Sequence, residues 1–577
     1  RAVESKFPKM VDTYAAAQIE QALGKSWADY KKEGNGYRYF LQPLSGVHLD
    51  PVHIEGKMRP GGNINYVYFL ISIAGLILVI ACINFMNLAT ARSAERAREV
   101  GVRKTMGSVR GQLISQFLIE SVLLSFIATT VAVVLMYLAL PAFNNLTAKQ
   151  MSFQASPLMM VLLVSLSVIV GVMAGSYPAF VLSGFDPVVV MKGRFTGHSK
   201  GAWLRNGLVV FQFFISIVLI VGTLVVSSQM RFMQNKNLGY DREQILVVER
   251  LFALENRAQT FIEELKRMPD VEHAAGAFSM LGREGDFFGA FWTPEGSDEI
   301  LTTKNMGIDD DFASTIGFEF VDGHGYSKET NDSLYIILNE TAVKVMGLTD
   351  PVGKKLSQVN DNVRIHYTII GIIKDFNFQS LRDPITPLTI QNIESFNGRP
   401  AYAYVKVKGR NLAAVVSRTE SKWREIAPGQ PFKYVFLDQN LKAQYEAEER
   451  SGQIFAIFSG LAIIIACVGL FGLAAYTASL RTKEIGIRKV MGASAFSLVF
   501  LLSKDFTRLV LTAFVLATPL AWYVMDSWLE GYAYRVSLGF EIFMLAGMTA
   551  LLISWITVSY QSVKAAMANP IKSLRSE

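Results

Sequence analysis

The sequence predicts an α-helical polytopic membrane protein: about seven transmembrane helices, as two parallel three-helix repeats plus one, with a large extracytoplasmic α+β domain. Three observations predict it. Several apolar stretches are long enough to cross a bilayer. A soluble-looking segment, 231–451, divides them into two groups. The groups on either side of that segment repeat one another.

Hydrophobic residues make up 51% of the 577 and charged residues only 18%, against about 25% charged in an average soluble domain. Mean hydropathy is +0.29. The apolar excess sits in two blocks, roughly 64–230 and 452–567. The formal net charge is +7, and the basic residues adjoin apolar spans, which is a signature of membrane topology. No basic stripe with interleaved aromatics occurs, so no nucleic-acid partner is expected. The two cysteines, Cys82 and Cys467, lie inside apolar spans, leaving the soluble segments without a disulfide or a Cys-based zinc site. The six histidines show no metal-ligand spacing, and Pro51 separates His48 from His53. No metal, cofactor-binding or catalytic residue is expected in this chain.

In order, the spans run over about Tyr66–Ala91, Leu113–Leu140, Leu158–Leu182, Leu208–Met230, Ile454–Leu480, Leu498–Trp522 and Ile542–Tyr560. Continuous apolar runs of this length are helices, because barrel strands alternate over about ten residues. Orientation follows from the short loops. Arg92, Arg96, Arg98, Arg103, Lys104 and Arg110 follow the first span, Lys192, Arg194, Lys200 and Arg205 the third, and Arg481, Lys483, Arg488 and Lys489 the fifth. The loops after the second and sixth spans offer only Lys149 and Arg535. The alternation predicts that 1–63 and 231–451 are extracytoplasmic and that the C-terminus, with Lys564, Lys572 and Arg575, is cytoplasmic.

Segment 231–451 reads as a folded α+β domain. Strand-like runs are Ile245–Val248, Leu334–Leu338, Tyr367–Ile373 and Tyr402–Val407. Helical patterns cover Arg257–Arg267 and Leu412–Ile426. Turn signals Asn397-Gly398 and Pro428-Gly429 separate them.

The repeat is read directly. Ile80-Ala81-Cys82 aligns with Ile465-Ala466-Cys467, and at the same offset RAREVGVRKTMG (96–107) aligns with RTKEIGIRKVMG (481–492). Glu120 then matches Asp505, and the last spans of the two blocks end alike, with Asp186-Pro187 against Asn569-Pro570. The repeated motif is amphipathic at helical spacing, as expected of a short helix along a membrane face. Gly107 and Gly492 stand where such a helix ends. A lipid-surface helix would explain the basic residues. The Glu kept among them in both copies favours a specific docking surface. Glu120 and Asp505 are read as structural ion pairs or helix-terminus residues rather than a proton relay.

The repeated motif, the three-plus-one-plus-three span count and the large outer domain resemble the MacB/FtsX-type permeases of ABC transporters, a family of bacterial permeases. The resemblance covers 64–230 and 452–577, and IIGIIKDFNFQSLRDPITPL (369–388) looks like the family's outer domain. It implies the following domains: 1–63, the end of a first extracytoplasmic domain whose preceding helix is absent here; 64–193, a first FtsX-like three-helix block; 206–230, a fourth, stalk helix; 231–451, a periplasmic α+β domain; and 452–577, a second FtsX-like block. It implies a bacterial inner-membrane permease subunit, non-catalytic itself, that couples ATP hydrolysis on a separate subunit to movements of periplasmic domains that export or extract a substrate. ATP and Mg would be bound by that ATPase subunit. Its contact here would be Glu99, Gly101, Arg103, Lys104, Met106 and Gly107, with Glu484, Gly486, Arg488, Lys489, Met491 and Gly492 in the second copy. The other implied partners are a second permease copy, making a dimer, membrane lipid and, for export, a periplasmic adaptor or outer-membrane channel. The chain is not the motor: Gly24-Lys25-Ser26 lacks the Gly that a phosphate-binding loop needs, Ile19 standing there, and Gly353-Lys354-Lys355 fails as well. The alternative reading is an FtsX-like transmembrane signalling protein that controls an extracytoplasmic enzyme. A membrane-anchored enzyme with its site in 231–451 is a third class, for which no catalytic constellation is found.

Overall fold

A computed structural model describes residues 3–17, 20, 26–32, 36–44, 64–91, 93–147, 149–184, 199–283, 285–297, 299–327, 332–360, 363–396, 398–409, 411–480 and 482–567. His48, His53, Asp186-Pro187, Asn569-Pro570 and Asn397 lie outside the described residues. The chain forms two compact units. One comprises Arg1–Asn65, Arg231–Ala447 and Gly531–Arg535. The other comprises Tyr66–Met230, Glu448–Glu530 and Val536–Glu577.

The second of these is all-helical. Its elements are α1 (Ile64–Ala91), α2 (Ser93–Thr105), α3 (Arg110–Thr147), α4 (Pro157–Ser183) and α5 (Ser199–Asn235). After the β-rich unit, and numbered past its two longer helices, come α8 (Leu437–Leu480), α9 (Thr482–Val490), α10 (Ala495–Leu529) and α11 (Phe540–Met567). Among the described residues, seven helices are long and apolar enough to cross a membrane, matching the seven expected spans. Several run past their apolar windows. The start of α8, LDQNLKAQYEAEERSG, is polar but free of Gly and Pro until its end, so nothing stops the helix there.

Small residues set the helix contacts, as expected where lipid removes the hydrophobic drive to associate. Gly171 and Gly175 of α4 face α3 so closely that a Cβ on Gly175 would lie 2.5 Å from Ser121 Oγ. Beside them Ser167 Oγ donates to Thr129 Oγ1 at 2.8 Å. The buried apolar cluster joins α5, α8, α10 and α11 through Ile217, Val221, Leu473, Ala517 and Ala550. The hydroxyls of Thr223 and Ser459 meet at 2.9 Å between α5 and α8.

Among the described residues the β-rich unit carries eleven strands: β1 (Ile245–Glu249), β2 (Val271–Ala277), β3 (Phe288–Pro294), β4 (Leu301–Ile308), β5 (Phe320–Gly323), β6 (Tyr335–Asn339), β7 (Lys355–Asn360), β8 (Val363–Ile373), β9 (Leu388–Asn392), β10 (Tyr402–Val407) and β11 (Tyr434–Phe436). Their order is β11-β1-β10-β2-β4-β3-β7-β8-β6-β9, with β5 on β8. Because β9 also pairs in parallel with β4, the strands from β4 to β9 close into a six-stranded ring. Side chains fill it, as in other small barrels. Trp292, Ile336, Leu338, Leu356 and Ile369 are buried together, and the Trp292 ring N–H donates to Thr303 and Thr389 hydroxyls at 3.1 and 3.2 Å.

The open sheet beside the ring, β11-β1-β10-β2, is covered by α6 (Ala258–Lys266) and α7 (Leu412–Ile426). Phe261 and Trp423, both fully buried, meet edge to face at 5.6 Å. The expected strand Tyr402–Val407 and helix Leu412–Ile426 occur with those limits. Leu334 belongs to a 3-10 turn before β6, and Arg257 precedes α6 as its N-cap.

Candidate functional site

The repeated motif folds as expected of it, twice. In α2 Glu99 pairs with Arg103 at 2.7 Å; in α9 Glu484 pairs with Arg488 at 2.8 Å. Each is an i,i+4 pair with the acid N-terminal, the favourable order on a helix. So the Glu kept among basic residues holds its Arg within the helix.

Both helices end the same way. The amides of Gly107 and Ser108 donate to the carbonyls of Lys104 and Arg103 at 3.1 and 3.0 Å. Those of Gly492 and Ala493 donate to Lys489 and Arg488 at 3.1 and 2.9 Å. This bond pair closes a helix on a left-handed residue, and Gly107 and Gly492 have φ of +97° and +89°, where a glycine carries no steric penalty.

The apolar residues of the motif divide between two directions. Val100 and Ile485 are buried in the membrane unit. Val102 and Ile487 are exposed, and Met106 and Met491 are 85% and 83% exposed at the helix ends. A flexible, polarisable thioether held out at a fixed helix end is suited to fill a partner's pocket. Gly101 is buried, and Lys104 and Lys489 are both engaged by neighbours. Gly486 lies within α9. The copies differ at one support: Arg103 also donates to Gln116 Oε1 at 2.6 Å, where the aligned residue is Leu501. Each copy thus presents one ion pair, exposed apolar side chains (Val102 and Met106 in the first, Ile487, Val490 and Met491 in the second) and a rigid end, and, among the described residues, no acid–base or nucleophile geometry. Glu120 and Asp505, on α3 and α10, are both engaged by neighbouring groups.

Segment 369–388 gathers other parts of the β-rich unit. Asp375 accepts the Thr341 amide and hydroxyl at 3.0 and 2.6 Å, and Phe376, Phe378 and Leu381 are buried. The Leu381 amide donates to the Tyr445 hydroxyl at 2.8 Å. The Ala533 amide donates to the Arg382 carbonyl at 2.8 Å, and the Arg382 guanidinium sits over the Tyr532 ring at 5.2 Å. Lys236 covers Tyr534 at 3.9 Å. The segment therefore clasps the first turns of α8 and residues 531–535 between α10 and α11. Their five-residue length and unremarkable composition gave no hint of this in the sequence. A carboxylate also stands out in this unit: Asp309 is buried, its Oδ2 accepts the Gly276 amide at 2.5 Å, and its Oδ1 has no hydrogen-bond partner among the described residues. Burial pushes its pKa up to about 7.

Comparison with known proteins bears on the membrane unit. The FtsX-like permease C-terminal family matches residues 71–187 and again 456–570. The chain is 33% identical over 127 residues to the uncharacterized ABC transporter permease YknZ of Bacillus subtilis, covering 21% of this chain and 30% of that protein. It is 30% identical over 117 residues to the macrolide export ATP-binding/permease protein MacB of Agrobacterium fabrum, covering 20% of this chain and 18% of that one. These matches thus span less than a third of each relative. Among solved structures, the periplasmic region of MacB from Actinobacillus actinomycetemcomitans aligns with 37% of this chain and 97% of its own, at 11% identity and a TM-score of 0.28. The extracellular domain of the noncanonic ABC-type transporter YknZ aligns with 33% of this chain and 97% of its own, at 15% identity and a TM-score of 0.24.

Proposed function

We propose that this chain, an ABC-transporter permease of the MacB/FtsX type, uses α2 and α9 as paired docking helices for a separate ATPase subunit and passes ATP-driven movement on to its β-rich domain. The observation that carries the reading is the duplicated helix end: the same ion pair, glycine stop and exposed Met at 106 and 491. A motif that served topology alone would need its basic residues but neither the fixed end nor the apolar tip.

On this reading Glu99 and Glu484 position Arg103 and Arg488, Met106 and Met491 enter pockets on the ATPase, and Gly107 and Gly492 fix the direction of each tip. Gly101 keeps the buried side of α2 slim, Gly486 stands at the matching position of α9, and Lys104 and Lys489 add charge beside the pair. ATP and Mg belong to the ATPase subunit. The C-terminus and both docking helices face the cytoplasm and the β-rich domain faces the periplasm. The route for movement is covalent. Helices α5 and α8 each contribute residues to both units, and the 369–388 clasp holds the first turns of α8. The work done is export or extraction of a substrate handled outside the membrane.

The test is co-purification of the intact protein with the ATPase encoded beside it, comparing wild type with a Glu99→Lys/Glu484→Lys protein shown to be correctly inserted. Loss of the ATPase supports docking through these helices. Undiminished recovery overturns it and leaves α2 and α9 as membrane-surface elements.

A further inference from the structure

The two halves of the membrane unit meet at equivalent positions of the repeat. Since Ile80 aligns with Ile465, Asn84 of α1 aligns with Gly469 of α8, and Asn87 with Gly472. In the folded unit Asn84 lies against Gly469 itself. A Cβ on Gly469 would stand 2.0 Å from Asn84 Oδ1 and 2.8 Å from its Cγ, and a Cβ on Gly472 would stand 2.1 Å from Leu88 Cδ2. Asn84 Nδ2 donates to the Ile465 carbonyl at 3.3 Å. Earlier along the same helices, Phe69 packs on Phe455 with ring centroids 4.6 Å apart. Contacts that stay within one residue of aligned positions along two parallel helices define a pseudo-two-fold axis along the membrane normal.

That symmetry is broken at the contact itself. Both glycines of the α8 notch are asparagines in α1. Asn84 is 8% exposed, and its Oδ1 has no hydrogen-bond partner among the described residues. An amide in such a place depends on its one bond and on the notch that receives it. We propose that Asn84 seated in the Gly469–Gly472 notch is a pairing lock that makes the two halves of one chain select each other, so that a single chain supplies both halves of the membrane core in place of a second copy. Two α1 helices would oppose Asn84 to Asn84 and Leu88 to Asn87 with no notch on either side. Two α8 helices would oppose notch to notch with no amide to reach the Ile465 carbonyl. Selection by misfit against the wrong partner is as effective as added attraction for the right one.

Cysteine cross-linking tests this without any ATPase, so its outcome is separate from the docking reading. Cys82→Ala and Cys467→Ala remove the native thiols from the full chain. Phe69→Cys and Phe455→Cys are then placed either together in one chain or singly in two co-expressed, differently tagged chains. The lock predicts a disulfide within the doubly substituted chain at monomer mobility, and none between singly substituted chains. A disulfide joining the two tags would overturn it. Adding Gly469→Asn to the doubly substituted chain should lower the in-chain yield by about tenfold, because the notch is overfilled. Moving the notch with Asn84→Gly/Gly469→Asn should restore the yield. An unchanged yield in Gly469→Asn, or a swap that recovers nothing, would also overturn the proposal.

Discussion

Asp309→Asn should remove a pH dependence from the β-rich unit. The folded-state value near 7 lies above the ordinary 3.8 because burial disfavours the charged form. The Gly276 amide and the Lys266 ammonium oppose that effect, and Asp310 and Asp311 reinforce it. Folding therefore binds a proton more tightly than the unfolded chain does. The carboxyl is neutral and costs nothing below pH 4. The penalty grows as pH rises from about 4 to 7 and is fully present above that. A rise from 3.8 to about 7 corresponds to about 4 kcal/mol at pH 8. Asparagine keeps an acceptor for the Gly276 amide but places an NH2 where Oδ1 has no partner, which costs about 1–3 kcal/mol. The variant should thus be the more stable at pH 8, by about 1–3 kcal/mol, and the less stable below about pH 4, where the wild-type carboxyl costs nothing. Thermal melting of the purified protein, followed by tryptophan fluorescence, measures this, since Trp292 and Trp423 are both fully buried in this unit. A wild-type midpoint that does not fall between pH 5 and 8, or an Asn variant with the same slope, would refute the reasoning.

Other substitutions probe the remaining contacts. Met106→Asp/Met491→Asp should cost ATPase binding about 2 kcal/mol or more, as loss of a buried interface anchor does; a binding titration against wild type measures it. Trp423→Ala removes a fully buried ring that meets Phe261 edge to face and should destabilise the β-rich unit by about 3–5 kcal/mol, seen as accelerated proteolysis within 245–436. Gly175→Val should lower thermostability in detergent, because its Cβ would meet Ser121 at 2.5 Å and overpacking costs about 1–3 kcal/mol. Gly75→Val, with nothing within 4 Å, should leave thermostability unchanged.

The parts legible in the sequence are those whose signal is local. Seven spans, two amphipathic helices and their glycine ends each follow from periodicity within one window, and the duplication reinforced them. Strand β10 was readable because YAYVKV is aromatic and β-branched. Strand β2, VEHAAGA, was not, because alanine and glycine carry no strand preference and only the neighbours of β2 hold it. The polar start of α8 was missed because hydropathy marks where a helix is apolar, not where it begins. Ring closure through β4 and β9 joins Lys304 to Leu388, a pairing no window contains. Asn84 opposite Gly469 reads as ordinary divergence between repeats until the fold places the two in contact.

The same contact sets a timetable for biogenesis. Asn84 and its acceptor Ile465 are 381 residues apart. At about 5–20 residues per second, the ribosome needs roughly 20–80 s to deliver the second after the first. Throughout that interval α1 resides in the membrane with a carboxamide whose seat has not yet been synthesised. Inside the bilayer the insertion machinery, or a temporary neighbour, must shelter it, while all eleven strands, Ile245 to Phe436, are threaded across before α8 arrives.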